Sequence, residues 1–354
     1  MTSKERIRAA LTHQDTDRVP TTMNCVETAW KNLRNYLNVE TNEEVQQYFE
    51  IDTRIIDLPR YIGPEHPPFV NEKGETVYTE VLGYQYVNKW NGVEYNWNIV
   101  SHPYSVIQTM DDFERFDAWL NPDHFDYNSV TEFVKQHEDK AIRIGWPGVY
   151  QWFSLLYGTE DFYINMYEEP ELLKAMINRW CKSCYEIYER MYEASNNKID
   201  IICPSDDYGT QINTLFRPSM WDEFFAENTK MFVQQAHRHG AYYMQHSCGA
   251  IRGIIPNLIR CGIDALEPIQ KVVGMEVDGL KKDFGDKLCF QGGIDTQHIL
   301  PHGTPEEVYE ETTRVIKAMY KQGGYILCGS QAFEGDVPPE NICALYEAAK
   351  QFRK

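Results

Sequence analysis

The sequence predicts an α/β fold: a single (β/α)8 TIM barrel over residues 1–354, carrying N-terminal helical and loop or hairpin additions. Two observations predict it. From about residue 140 onward, short apolar runs alternate repeatedly with helical patterns, the cadence of parallel strands joined by right-handed crossovers. The polar residues Asp206, Asp207, His246, Cys248, Glu267, Asp295 and Cys328 all fall at or just past the ends of those runs. In a barrel, strand C-terminal ends share one face, and that face carries the active site. A doubly wound open sheet fits the same cadence and is the alternative.

The elements follow in order. Thr2 and Glu5 have capping-box spacing, and Ile7, Ala10 and Leu11 continue at helical spacing. The turn-like Asp15–Pro20 ends that helix. Residues 60–105 are rich in Pro, Gly, Tyr and Trp, with short alternating runs. They read as loops and small strands, a hairpin over the barrel mouth, so residues 1–105 are assigned to additions around the mouth and 106–354 to the main barrel. Ala141–Trp146 reads as a buried strand. Pro170 opens a helix, and Leu172, Leu173, Met176, Ile177, Trp180, Cys184, Ile187 and Met191 give it one apolar face. Strands are predicted at Ile199–Pro204, Ala241–Gln245, Ala265–Pro268, Leu288–Gln291 and Tyr325–Leu327. Helices are predicted at Met220–Arg238, Ile251–Arg260, Pro305–Lys321 and Pro339–Phe352.

Composition excludes some functions. With 34 Lys plus Arg against 53 Asp plus Glu, the 354-residue chain has a formal charge of −19. So acidic a chain is a poor partner for nucleic acid or an anionic membrane. No apolar run is long enough to span a bilayer. The opening MTSKERIRAALTH has no apolar signal core, so a cytoplasmic location is expected. Nine cysteines are an odd, sparse set, which favours thiols or metal ligands over a disulfide scaffold.

The sharpest local signal is His246-Ser247-Cys248-Gly249. A His-x-Cys pair just past a strand presents imidazole and thiolate to one ion. With Cys328 it makes a His/Cys/Cys set that suits zinc and leaves one coordination position open, and Glu267 is a candidate fourth, displaceable ligand. The plainer alternative is packing: cysteines buried as small hydrophobes and a hydrogen-bonded core histidine. Asp206-Asp207 reads as an acid/base pair or a substrate anchor. Cys181-Lys-Ser-Cys184 lies mid-helix and reads as packing. His237 and His239 suit a helix C-terminus. Cys203, Cys261, Cys289 and Cys343 read as core thiols. Asp207, Gln211 and Trp146 are the candidate substrate contacts, and the stretch Tyr84–Tyr104, including Trp90 and Trp97, is a candidate lining of the mouth. No Walker or dinucleotide fingerprint is present.

Further motifs carry a resemblance. Arg6-Ile-Arg-Ala-Ala10 with Asp17-Arg-Val-Pro20 resembles the opening of the uroporphyrinogen decarboxylase superfamily. Gly158-Thr-Glu-Asp-Phe162, Asp207-Tyr-Gly-Thr-Gln211, His246-Ser-Cys-Gly249, Gly292-Gly-Ile-Asp295, Gly323-Gly-Tyr-Ile-Leu327 and Pro338-Pro-Glu-Asn341 extend the similarity along nearly the whole chain. The resemblance implies a single (β/α)8 barrel. True decarboxylases carry an arginine-rich stretch where this chain reads Thr21-Thr-Met-Asn-Cys-Val-Glu-Thr28, and a late histidine where it reads Gln331. The chain is therefore more similar to the corrinoid-dependent methyltransferase branch, that of methylcobamide:coenzyme M methyltransferases. That likeness implies zinc on His246, Cys248 and Cys328, with Glu267 weaker, and a partner corrinoid protein. The reaction it implies moves a methyl group between cobalt and a small methyl ether, methylamine or thiol, O-demethylation included. A lyase acting on a carboxylated substrate and a non-catalytic corrinoid or tetrapyrrole binder are the competing readings.

Overall fold

The computed structural model describes residues 1–92 and 95–354; Val93 and Glu94, inside the aromatic stretch Tyr84–Tyr104, lie outside the described residues. Seven strands form a parallel sheet in chain order: β1 (Thr53–Ile56), β2 (Ala141–Ile144), β3 (Ile201–Ile202), β4 (Tyr242–His246), β5 (Ala265–Ile269), β6 (Cys289–Gly292) and β7 (Tyr325–Ile326). Sequential order with parallel pairing throughout curls the sheet into a barrel, because each crossover helix packs back on the same outer side. The segment Pro20–Thr22 joins the two edges. The Thr22 amide donates to the Leu327 carbonyl (3.1 Å), the Leu327 amide to Pro20 (2.8 Å), and the Asp52 amide to Thr21 (3.0 Å). The alternative of an open doubly wound sheet is thereby excluded.

The first helix, Ser3–Leu11, has the expected capping box of Thr2 and Glu5. Its apolar face plugs the barrel floor. Ile7, Ala10 and Leu11 pack on Ala141, Ile201, Met244, Ala265, Cys289 and Ile326, a core of its own apart from the larger one between strands and helices. The helix Pro170–Ala194 buries the whole apolar face predicted for it. The helical run predicted at Met220–Arg238 is present with a π-helical turn at Asp222–Ala226. Residues 69–101 form a four-stranded antiparallel sheet, Phe69–Val70, Thr76–Thr79, Gln85–Trp90 and Tyr95–Ser101. Tyr84 stacks on Trp152 (6.0 Å between ring centroids), and Trp152 meets Trp146 edge-on (4.6 Å). This aromatic chain fastens the sheet beside the C-terminal ends of the barrel strands. The strand β1 falls inside the segment 1–105 that sequence assigned to additions.

Candidate active site

Side chains alternate along a strand, so residues two apart share a face. The floor residues Ala141, Ile201, Met244, Ala265, Cys289 and Ile326 therefore have inward-facing successors: Arg143, Cys203, His246, Glu267, Gln291 and Cys328. All six successors line one cavity of about 200 Å3. The barrel is thus apolar at its floor and polar one layer higher, at the strand C-terminal ends where the fold predicts chemistry.

Glu267 is the hub of this layer. Its carboxylate accepts from Arg143 Nη2 (2.6 Å), Gln291 Nε2 (2.6 Å), His246 Nδ1 (2.7 Å) and the Cys203 thiol (3.3 Å). Burial alone would raise its pKa, but the Arg143 guanidinium and His246 hold it well below the usual carboxylate range. Because Glu267 takes the Nδ1 proton of His246, the other ring nitrogen is turned toward Asp207 and Cys248. Nε2 lies 3.3 Å from Asp207 Oδ1 and 3.5 Å from Cys248 Sγ. Burial would lower the His246 pKa, but Glu267 and Asp207 outweigh it and drive it well above the usual imidazole value. Asp207 is brought down to about 2, the His246 hydrogen bond overcoming its burial. The Cys248 thiol is raised by burial. Gln331 Nε2 donates to its sulfur at 2.8 Å.

Local chain geometry explains the His-x-Cys-Gly motif. Gly249 has φ +85°, and a Cβ there would stand 2.5 Å from the Gly209 carbonyl carbon. Only glycine fits that approach. The Cys248 amide donates to Asp207 Oδ1 (2.8 Å), so the two loops lock together. Asp206, fully buried, faces away from Asp207's partners. It accepts from the amides of Val149, Tyr150 and Gln151 (2.7–2.8 Å) at the start of helix Gln151–Tyr157, and from the Tyr208 phenol (3.2 Å). Burial nevertheless pushes its pKa to about 6. Its place is structural.

The donor atoms of Asp207, His246 and Cys248 all lie within 4.8 Å of one another. Zinc bonds of about 2.0–2.3 Å in a tetrahedron put neighbouring donors about 3.3–3.6 Å apart. The 3.3 and 3.5 Å separations of Nε2 from Oδ1 and Sγ match, so this donor set fits zinc. Among the described residues, Cys328 and Glu267 stand outside that group. Cys328 lines the inner cavity, its thiol pushed up to about 12 by burial and by nearby Glu267. Trp146 lines the same cavity. Gln211 lies in a second, polar hollow of about 380 Å3 with Cys248, Gln270, Gln297 and Asp336, and Gln331 lines both spaces. His237 and His239 are occupied elsewhere, by Asp264 (2.8 Å) and by Glu189 (3.0 Å). Sequence reading passed over Asp57, Arg143 and Gln291 and assigned Cys203 to the core. The signal that finds the last three is the two-residue step from each strand's apolar floor residue.

A family model for uroporphyrinogen decarboxylase (URO-D) matches residues 104–352. The chain belongs to the uroporphyrinogen decarboxylase family. A methylated-thiol–coenzyme M methyltransferase of Methanosarcina mazei is 29% identical to this family member over 150 residues, which are 41% of this chain and 39% of that relative. The match therefore spans well under half the length of the curated relative. A solved methyltransferase structure from Methanosarcina mazei aligns over 100% of both chains with a TM-score of 0.70 at 16% identity, a likeness of fold.

Proposed function

We propose that this member of the uroporphyrinogen decarboxylase family is a zinc-dependent methyltransferase. It moves a methyl group between a small substrate (a methyl ether, methylamine or thiol) and the cobalt of a corrinoid protein. One observation carries the reading: a thiol, an imidazole and a carboxylate converge within 4.8 Å, between a cavity of about 200 Å3 lined by His246 and a polar hollow of about 380 Å3 lined by Cys248. The methyltransferase similarities agree with it.

His246, Cys248 and Asp207 would hold the metal. When bound, zinc supplies Lewis acidity toward a thiolate or a polarised heteroatom. The protein's own groups do the rest. Glu267, locked by Arg143 and Gln291, fixes the His246 tautomer. Gln331 holds the Cys248 sulfur by its amide. The inner chamber admits the small substrate, and the hollow beside Cys248 gives access from outside.

Size and charge favour this reading over decarboxylation of a tetrapyrrole. A cavity of about 200 Å3 lies below the usual range for small-molecule sites of about 300–1,000 Å3, and is small for a macrocycle. Among the described residues, the one arginine lining the chamber is also committed: Arg143 is paired with Glu267 (2.6 Å).

The test is metal analysis of the purified chain, coupled to a methyl-transfer assay with a corrinoid protein. About one zinc per chain is expected, with transfer lost on chelation and in Cys248→Ala. Well under one zinc, or full transfer by Cys248→Ala, would overturn the reading.

A further inference from the structure

The antiparallel sheet beside the barrel mouth ends in a projecting arm. Its last two strands, Gln85–Trp90 and Tyr95–Ser101, pair with Trp90 opposite Tyr95 and Tyr86 opposite Ile99. Every described residue from 88 to 98 is exposed. A cross-strand pair shares one face of a sheet, and so do residues two apart on a strand. Trp90, Tyr95 and Trp97 therefore lie on one face, and the ring contacts agree: Trp90 meets Tyr95 at 5.2 Å, and Trp97 meets Tyr86 at 5.3 Å. The three side chains are 58, 65 and 54% exposed. Single apolar side chains on a surface need no explanation, but a contiguous aromatic patch marks a contact.

The edge of the arm is open as well. The sheet order is Phe69–Val70, Thr76–Thr79, Gln85–Trp90, Tyr95–Ser101, so the last strand has a neighbour on one side only. Among the described residues, no backbone hydrogen bond outside the sheet involves residues 95–101. The opposite edge, Phe69–Val70, is blunted by its length of two residues. The Tyr95–Ser101 edge has seven residues, with no proline and no charged side chain, so it lacks the usual devices that discourage strand pairing. The irregularity in its register falls between Gln85 and Tyr86, at the base of the arm, and leaves residues 95–99 regular.

Charge identifies what completes the edge. Residues 85–101 contain one lysine and one glutamate, a net charge of zero, in a chain of formal charge −19. Lys89 is bound to Glu75 (2.6 Å). A basic partner is drawn to acidic surface and gains little from a neutral arm. Two copies of this chain repel each other over most of their surface, and the arm is where they meet without adding like charges. An unpaired strand is also complementary to itself: antiparallel pairing about a two-fold axis closes at a dimer. Aromatic side chains of about 150–250 Å2 each, more than half exposed, combine with the strand edge into an interface on the order of 1,000 Å2 over both copies, the lower end for a specific contact.

We propose that Tyr95–Ser101 pairs antiparallel with the same strand of a second copy, joining the two sheets into one, with Trp90, Tyr95 and Trp97 of both copies on a common face. The pairing needs neither metal nor corrinoid and stands apart from the methyltransferase reading. Its small area makes the dimer reversible, with dissociation in the micromolar range.

Sedimentation velocity of the whole chain, from low micromolar to several hundred micromolar, tests the association. A monomer–dimer equilibrium is expected, unchanged by a chelator. Trp97→Asp sets two carboxylates near the axis and should weaken the dimer at least about tenfold, with circular dichroism unchanged because the side chain is exposed. Mild oxidation of Asn96→Cys, Trp97→Cys, Asn98→Cys and Ile99→Cys, each made alone, reads the register. The residue on the two-fold axis faces its own copy, with Cβ atoms about 4.5–5.5 Å apart, so one of the four should cross-link well above its neighbours. Phe69→Cys, on the opposite edge, should not cross-link. A chain that stays monomeric at every concentration overturns the proposal, and loss of methyl transfer to a corrinoid protein in Trp97→Asp would then assign the arm to that partner. A dimer that survives Trp97→Asp, with no cross-link at any of the four positions, overturns it too.

Discussion

His246 shows how little of a side chain's role resides in its identity. Its Nδ1 is bound by Glu267 and its Nε2 faces Asp207 and Cys248, so the ring can act in one orientation only. Asp207 has the same dependence: it was legible as a strand-end carboxylate, but its company was not. This geometry gives a sharp prediction about the third ligand. Asp207→Asn should lower zinc affinity at least about tenfold, whereas Cys328→Ser should keep nearly wild-type zinc, because the Cys328 thiol stands outside the donor group. Equilibrium competition with a chelator measures both. Zinc lost in Cys328→Ser and retained in Asp207→Asn would restore the His/Cys/Cys set expected from sequence.

At the scale of elements, the site is made by loops that touch across strand ends. The loop after β3 carries Asp206 and Asp207, and the loop after β4 carries Cys248 and Gly249. Asp206 ties the first of these to the start of helix Gln151–Tyr157, while Gly249 allows the second to lie against Gly209. Gly249→Ala meets both a left-handed backbone and a contact with main chain, neither of which a side-chain rotation can relieve. A loss of about 1–3 kcal/mol in unfolding free energy is expected, with weaker zinc binding because Cys248 moves with its neighbour. Denaturant melts and metal titration test the pair. Unchanged values for both would show that the close approach of the loops is dispensable.

Across the whole molecule, barrel closure depends on charges at its floor end. Arg6 binds Asp17 (2.7 and 2.9 Å) and Asp52 (2.6 Å), and Arg18 binds Asp52 (2.7 and 2.9 Å). Asp52 also accepts from the Thr21 amide (3.0 Å), within the segment that joins β7 to β1. The Arg6 hydrogen bonds hold the Asp17 carboxyl well below its ordinary value. A carboxyl lowered in the folded state adds stability that is complete above its unfolded pKa of about 3.9 and is lost as pH falls toward the folded value. Wild type should therefore lose melting temperature more steeply below about pH 4 than Asp17→Asn does. The difference is about 1 kcal/mol or less, because Asp17 is 39% exposed and solvent screens it. Parallel melting curves from pH 3 to 7 would refute this linkage.

By itself the sequence determined the barrel cadence, the Thr2–Glu5 cap, the buried face of Pro170–Ala194 and the strand ends where polar residues gather. These are local: propensity, periodicity and turn residues act over a few positions. It missed β1, whose short Thr-Arg-Ile-Ile run has no alternating signature, and the closure at Pro20–Thr22, which exists only as pairing with Leu327 and Asp52. Tertiary structure alone decided which donors meet. It brought Asp207 to His246 and Cys248, set Glu267 behind the ring rather than beside the sulfur, and gathered Asp57, Arg143 and Gln291 into one chamber. The reason is that a barrel converts a strand's two-residue alternation into layers around a common axis. Which residues share a layer then depends on register between strands far apart in sequence, and no single strand contains that information.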